Sequence, residues 1–204
     1  MNDAAVITGD LIGSRSAGPQ ATEIAMAAIA EVAKTASAPF ARYRGDGWQV
    51  LLGKPELALR YSLLVTARLR SLRAPLSRFA VGIDDVPLQR ADSLASETGP
   101  AFVTSGEVLD GMPRRSVFAI ASMTRTLTEM TWAAARLADQ VARKWTPQQA
   151  EAMVIALSAT EPSGAFIAKS LGISPAAASY RLQGANWWDI KAVVSAFERE
   201  LGEK

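Results

Sequence analysis

Two aspartates stand beside glycines near the start of the chain: Asp10 in Ile7-Thr8-Gly9-Asp10-Leu11-Ile12-Gly13-Ser14, and Asp46 in Arg42-Tyr43-Arg44-Gly45-Asp46-Gly47-Trp48. If the first strand lies beside a hairpin carrying Asp46, both carboxylates face one ion. Mg2+ or Mn2+ bound with a nucleotide needs that arrangement, because hard cations take carboxylate oxygens together with phosphate oxygens. Gly45 and Gly47 let backbone approach a phosphate closely, and Gly13 permits a turn with exposed N–H groups. Arg42 and Arg44 supply positive charge for phosphate or base. Each aspartate also has a structural explanation, Asp10 as a cap of its turn and Asp46 as half of an Asp-Gly hairpin signal.

Composition narrows the remaining chemistry. The 204 residues include no histidine and no cysteine. That excludes histidine triads, thiolate nucleophiles, disulfides and zinc-thiolate sites, and leaves carboxylates, lysines and tyrosines as general bases. No apolar run approaches the roughly 20 residues of a membrane-spanning helix. The N-terminus lacks the basic and apolar regions of a secretory signal, so a cytoplasmic protein is expected. Hydrophobic residues form 49% of the chain, enough for a core, and the net charge of +2 leaves no strong footprint for nucleic acid.

The elements that must position the aspartates read as strand, helix, hairpin, helix, strand, helix, strand. Ala4–Gly9 is a short buried strand, with Asp10 just past it. Gln20–Ala36 is an alanine-rich helix. Phe40–Leu52 is a hairpin turning at Asp46-Gly47. Leu57, Tyr61, Leu64, Val65, Leu69 and Leu72 fall at helical spacing. Arg78–Ile83 is a core strand, Gly99–Leu109 a helix and Ser116–Ala121 a final strand. This predicts an α/β (α+β) sheet with helices laid on it, over residues 1–122.

From Met123 the pattern becomes continuous helix. Met123, Leu127, Met130, Ala134, Leu137 and Val141 form a heptad-like seam over a connector, 123–144. The seam either packs on its own domain or joins two copies.

Residues 145–204 are punctuated as an all-α helix-turn-helix domain. Thr146-Pro147-Gln148-Gln149 is a capping-box start. Ser163 caps a second helix to Leu171, Gly172 makes the break, and Ser174-Pro175 opens a third helix ending near Gln183; a fourth starts at Asn186. In a DNA reading the helix from Pro175 enters the major groove, offering Ser174, Ala176, Ser179, Tyr180, Arg181 and Gln183. Arg181 and Gln183 suit directional contacts, while Ser179 and Tyr180 suit phosphates. Charge argues against it: from Trp145 onward there are five basic residues (Lys169, Arg181, Lys191, Arg199, Lys204) against six acidic ones. The other use of the module is dimerisation or protein contact. Trp187-Trp188 reads as core.

Asp10-Leu11-Ile12-Gly13 after a strand resembles the first metal-binding motif of class III nucleotidyl cyclases, and Gly45-Asp46-Gly47 resembles their second. Ile7-Thr8-Gly9-Asp10-Leu11-Ile12-Gly13-Ser14-Arg15, Arg44-Gly45-Asp46-Gly47-Trp48 and the helix-turn-helix together most resemble the SatD family of bacterial proteins, over nearly the whole chain. The resemblance implies a ferredoxin-like, nucleotidyl cyclase-like sheet. It implies Asp10 and Asp46 as ligands of Mg2+ or Mn2+, and a nucleotide site built from Gly13, Ser14, Arg42, Arg44, Gly45 and Gly47. Arg42 falls where many such cyclases carry a base-recognising lysine. It also implies a homodimer.

One departure stands out. Cyclases carry an asparagine and an arginine four residues apart on the helix after the fourth core strand, where this chain has Thr104 and Val108. Neither clamps a developing phosphate charge, a loss commonly worth about 10²–10³ in rate. No catalytic residue is therefore assigned. The leading expectation is a regulator in which nucleotide and metal control a DNA-binding helix-turn-helix. An active cyclase or transferase and a protein with no nucleotide site are the alternatives.

Overall fold

The computed structural model describes residues 3–43, 45–86, 94, 97–113, 115–124, 127–158 and 162–202. The chain opens with strand β1 (Asp3–Leu11), a one-turn helix α1 (Ser14–Ala17) and helix α2 (Pro19–Thr35). The hairpin β2 (Phe40–Tyr43) and β3 (Gly47–Leu52) follows, then a 3-10 turn at Pro55–Leu57, α3 (Ala58–Ser71), β4 (Ser77–Asp85), α4 (Pro100–Gly111) and β5 (Phe118–Ala121). The remainder is helical: α5 (Glu129–Ala142), α6 (Pro147–Ser158), α7 (Gly164–Leu171), α8 (Pro175–Gly184) and α9 (Trp187–Gly202).

The fold is α/β, with one five-stranded sheet in the order β2-β3-β1-β4-β5. β1 is central and antiparallel to both β3 and β4, whereas β5 joins β4 in parallel through α4. The β-α-β-β-α-β order from β1 to β4 is the ferredoxin-like arrangement.

Strand alternation sorts the side chains. Ile7, Trp48, Phe79 and Val81 pack with α2 and α3, while Val6 and Ala80 belong to the opposite face, covered by α4. A Cβ added at Gly82 would lie 2.4 Å from the Ala101 carbonyl oxygen, so the glycine permits the close approach of α4 to β4.

The apolar core does not stop at the sheet. It continues through α3 to Trp145, Met153, Leu157, Ile167, Leu182 and Phe197. The indole N–H of Trp145 donates to Ala185 C=O at 2.9 Å, and Arg70 Nε donates to Trp145 C=O at 2.8 Å. Arg60 grips Glu198 at 2.5 and 2.9 Å. The capping signals form as written: Thr146 and Gln149 bond reciprocally at 2.9 and 3.2 Å, and Ser163 and Ser174 each accept an N–H at 3.1 Å. Gly172 takes the left-handed conformation at φ 63° between α7 and α8.

Several expectations are corrected. The helix predicted from Met123 begins at Glu129, because the Met123 and Thr124 N–H groups both donate to Asp84 Oδ1 at 2.9 Å, and Thr128 supplies the cap. The heptad-like seam packs inward only in part: Leu127 and Val141 lie against the core, Met123, Met130 and Leu137 are exposed, and the fully buried face of α5 is Ala135, Ala138, Asp139 and Ala142. In the hairpin, Gly45 rather than Gly47 supplies the positive φ, at 81°. Gly47 already pairs with Tyr43, and an added Cβ there would meet the Tyr43 carbonyl oxygen at 2.8 Å. Of the tryptophan pair, Trp187 is core and Trp188 is 68% exposed. Among the described residues, no helix is long and apolar enough to cross a membrane.

Two glycines of the β4–α4 unit should separate cleanly. Gly82→Ala forces α4 off the sheet and is expected to lower stability by about 1–3 kcal/mol. Gly106→Ala, where an added Cβ meets nothing within 4 Å, is expected to raise it by about 0.5–1 kcal/mol. Urea unfolding of both variants checks the pair.

Candidate functional site

Asp10 lies inside β1, not beyond it. Its neighbours across the sheet are Gly47 on β3 and Arg78 on β4. Asp46 is the last residue of the hairpin turn and touches the same strand end, its C=O accepting the Leu11 N–H at 3.1 Å. The two predicted metal ligands are thus brought to one end of the sheet by β1–β3 pairing. Asp84 and Asp85 sit at the opposite end of the sheet, where Asp85 pairs with Asp3.

The environments of the two carboxylates differ. Asp46 Oδ2 accepts the Ser14 hydroxyl at 2.5 Å. Asp10 Oδ1 stands 3.7 Å from Arg78 Nε, and both atoms are buried without a hydrogen-bond partner. Burial pushes the Asp10 carboxyl above the ordinary aspartate value; Arg78 opposes this, and the Asp46 charge adds to it. The Arg78 guanidinium is itself anchored on the Leu109 C=O at the end of α4. Ser77 completes the frame, donating to Asp10 C=O at 2.7 Å and accepting the Trp48 indole N–H at 2.9 Å.

An open groove of about 530 Å3 runs beside Asp46, lined by Ser14, Arg15, Gly18, Thr22, Arg42 and Gly45 among others. Asp46 lines it and Asp10 does not. Of the predicted nucleotide residues, Ser14, Arg42 and Gly45 reach the groove. Gly13 supplies the left-handed turn before Ser14, at φ 70°, and Gly47 is buried in the hairpin. Arg44 lies outside the described residues. Arg42 is already engaged, donating to Gly45 C=O at 2.6 Å and to both Glu23 oxygens at 2.7 and 2.9 Å.

The residues present fit a divalent cation in one respect: two neighbouring carboxylates, one with a buried oxygen that no donor satisfies. Among the described residues, no group of three or more acidic side chains gathers to hold an ion, so further ligands would come from a bound phosphate and water. Arg78 competes for the same oxygen.

At the predicted transition-state positions, Thr104 is buried and donates to Asp84 Oδ2 at 2.6 Å, while Val108 packs between α4 and the sheet. Burial pushes Asp84 up, but bonds from Thr104, Thr124 and Met123 outweigh it and hold its carboxyl below the ordinary value. Arg115, just beyond α4, is exposed.

On α8, Ser174, Ala176, Ser179, Tyr180 and Gln183 are exposed, Tyr180 by 74%. Arg181 is turned back onto α6, pairing with Glu151 at 2.8 Å. Sequence reasoning missed Arg78, Glu23, Glu151 and Arg15. Arg15 carries the one signal available, its place directly after the Gly13-Ser14 turn.

The site is defined by an antiparallel sheet end carrying two aspartates on an α/β fold. No family model matches this chain, and no curated protein matches it. Among solved structures it is similar to the guanylyl cyclase Cya2, at 17% identity and a TM-score of 0.37, over 53% of this chain and 69% of that one.

The raised Asp10 value has a stability consequence. The folded state holds this proton more tightly than the unfolded chain, so the contribution is full below the ordinary aspartate range and is lost as pH rises through the folded value. Asp10→Asn is expected to remove that pH dependence and to be at least as stable as wild type at neutral pH. Urea titrations from about pH 4 to about pH 8 decide it. A clear loss at neutral pH would mean that pairing with Arg78 outweighs burial.

Proposed function

We propose that this protein binds a nucleotide together with Mg2+ or Mn2+ at the Asp10–Asp46 end of its sheet, and that the bound state controls a C-terminal helix-turn-helix. The observation carrying the reading is that β1–β3 pairing sets Asp10 beside the hairpin turn that carries Asp46, with one Asp10 oxygen buried and unsatisfied, next to a groove containing Ser14, Arg15 and Arg42. Asp10 and Asp46 would hold the cation, whose charge would neutralise the phosphates. The Ser14 hydroxyl orients Asp46, and Arg15 is available to phosphate. The N-terminus of α2, at Gly18 and Pro19, adds a partial positive charge to the groove wall. Arg78 balances the Asp10 charge until the cation arrives. Binding without turnover is favoured, because Thr104 is committed to Asp84 and Val108 is apolar.

A shared core supports communication between the two parts. For α8 the reading is DNA contact through Ser174, Ala176, Ser179, Tyr180, Arg181 and Gln183. Arg181 becomes available only when released from Glu151. Glu151→Gln is therefore expected to tighten duplex binding and to steepen its salt dependence by about one unit of log K per log [salt], measured by fluorescence anisotropy.

A second reading draws on the Ser14–Asp46 bond, in which both aspartates serve only the hairpin and sheet. Thermal unfolding with ATP, GTP and their cyclic forms, each with and without Mn2+, separates the two. A ligand at about 100 times its Kd stabilises by about 2.7 kcal/mol, or several degrees. The expected result is a Mn2+-dependent shift that Asp46→Asn abolishes; no shift with any ligand would sink the nucleotide reading.

A further inference from the structure

Helix α5 packs beside β5, and two of its side chains, Trp132 and Arg136, stand one helical turn apart. The Arg136 guanidinium lies 4.6 Å from the centre of the Trp132 ring. Between these two residues and the end of α4 is an open recess of about 490 Å3, within the roughly 300–1,000 Å3 usual for small-molecule sites. Its floor is apolar: Phe118 is 3% exposed and Met112 8%, and Trp132 forms a wall. Arg115, just beyond α4, borders it as well. None of these residues lines the groove beside Asp46.

The positive charge of this recess is unanswered. Arg42, Arg60, Arg68 and Arg181 each hold a glutamate, and Arg143 holds Asp139. Among the described residues, Arg115 and Arg136 form no ion pair or hydrogen bond, and no acidic side chain lines the recess. Asp139, three residues after Arg136, feels its charge but is bonded to Arg143. Two guanidinium groups beside an apolar floor leave a place for an anion that the protein does not itself supply, and charge-assisted hydrogen bonds are stronger than neutral ones.

We propose that this recess binds a small organic acid with an aromatic body, its carboxylate held between Arg115 and Arg136 and its ring set against Phe118, Met112 and Trp132. Arginine suits the part because its planar fork donates to both oxygens of one carboxylate. The aromatic body follows from the two rings and the thioether in the walls, which favour ring contacts. A polyphosphate fits less well: two arginines leave most of its charge unmet, and no carboxylate lines the recess to hold a cation with it. Since α5 supplies one wall and β5 the floor, an occupied site ties the helical half of the chain to the sheet. The site needs neither the nucleotide nor DNA.

Fluorescence titration of the full chain with anilinonaphthalene sulfonate, an anionic aromatic dye, tests the site, with naphthoate and its neutral amide as competitors. The dye is expected to bind at one saturable site, from which naphthoate displaces it and naphthamide does not. Arg115→Gln and Arg136→Gln should each weaken dye binding by at least about tenfold, the scale of a hydrogen bond to a charged group. Arg199→Gln, which removes an exposed arginine on α9, should leave it unchanged. Circular dichroism checks that each variant is folded. The proposal is overturned by an absence of saturable dye binding, by naphthoate displacing the dye no better than the amide, by indifference to both Arg115→Gln and Arg136→Gln, or by an equal loss in Arg199→Gln.

Discussion

The central position of β1 is the constraint on which the rest of this protein rests. A strand hydrogen-bonded on both edges has its register fixed twice, and a slip of one residue would send Ile7 and Leu11 to the α4 face and Thr8 and Asp10 into the apolar core. Its antiparallel pairing with β3 carries the hairpin turn to the end of β1 and so brings Asp46 to Asp10. Pairing with β4 delivers Arg78 to the same place. The candidate site is therefore a by-product of sheet register, and its precision comes from a buried ladder rather than a loop.

A second constraint joins the helical half to that strand end. Arg143, at the C-terminus of α5, donates to Asp139 at 2.6 Å, to Ser77 C=O at 2.8 Å and to Val117 C=O at 3.1 Å. Ser77 in turn holds the Asp10 carbonyl. Two residues after Arg143, Trp145 is buried between α3 and the end of α8, bonded to both. Burial pushes the Asp139 carboxyl up, while the Arg143 charge pulls it down. A buried pair of this kind stabilises little by itself, yet removing one partner strands the other. Its effect is positional: α5 cannot shift without disturbing the first residues of β4, which also hold Asp10.

Charge placement shapes what each half can recognise. At the sheet end two arginines stand against carboxylates, Arg78 with Asp10 and Arg42 with Glu23, while Asp46 is met by the Ser14 hydroxyl. On the proposed reading, a cation would displace Arg78 from Asp10 and a phosphate would displace Glu23 from Arg42. On α8 the exposed surface is polar and aromatic with its arginine folded back, so any affinity for DNA there starts from little electrostatic attraction.

The local grammar of this fold was legible in the residues. The 3.6-residue spacing of α3, the Thr146–Gln149 capping box, the Ser163 and Ser174 caps and the Gly172 break are set by short-range sterics and hydrogen bonding, and they stand where the pattern placed them. The α/β class followed from the order of those elements, and Asp10 and Asp46 were marked by their glycine neighbours. What the sequence did not contain was any rule for contacts between distant segments. Asp84, 39 and 40 residues before Met123 and Thr124, captures their N–H groups and delays α5. Arg78 meets Asp10, Glu23 occupies Arg42 and Glu151 turns Arg181 away, and each pairing depends on where two elements cross. Periodicity likewise identified an apolar stripe on α5 without saying which side the core would take, and small alanines won because they let the helix approach α3. Local chemistry is written along the chain, whereas the assignment of partners to charged and apolar side chains is a property of packing and appears only once the chain is folded.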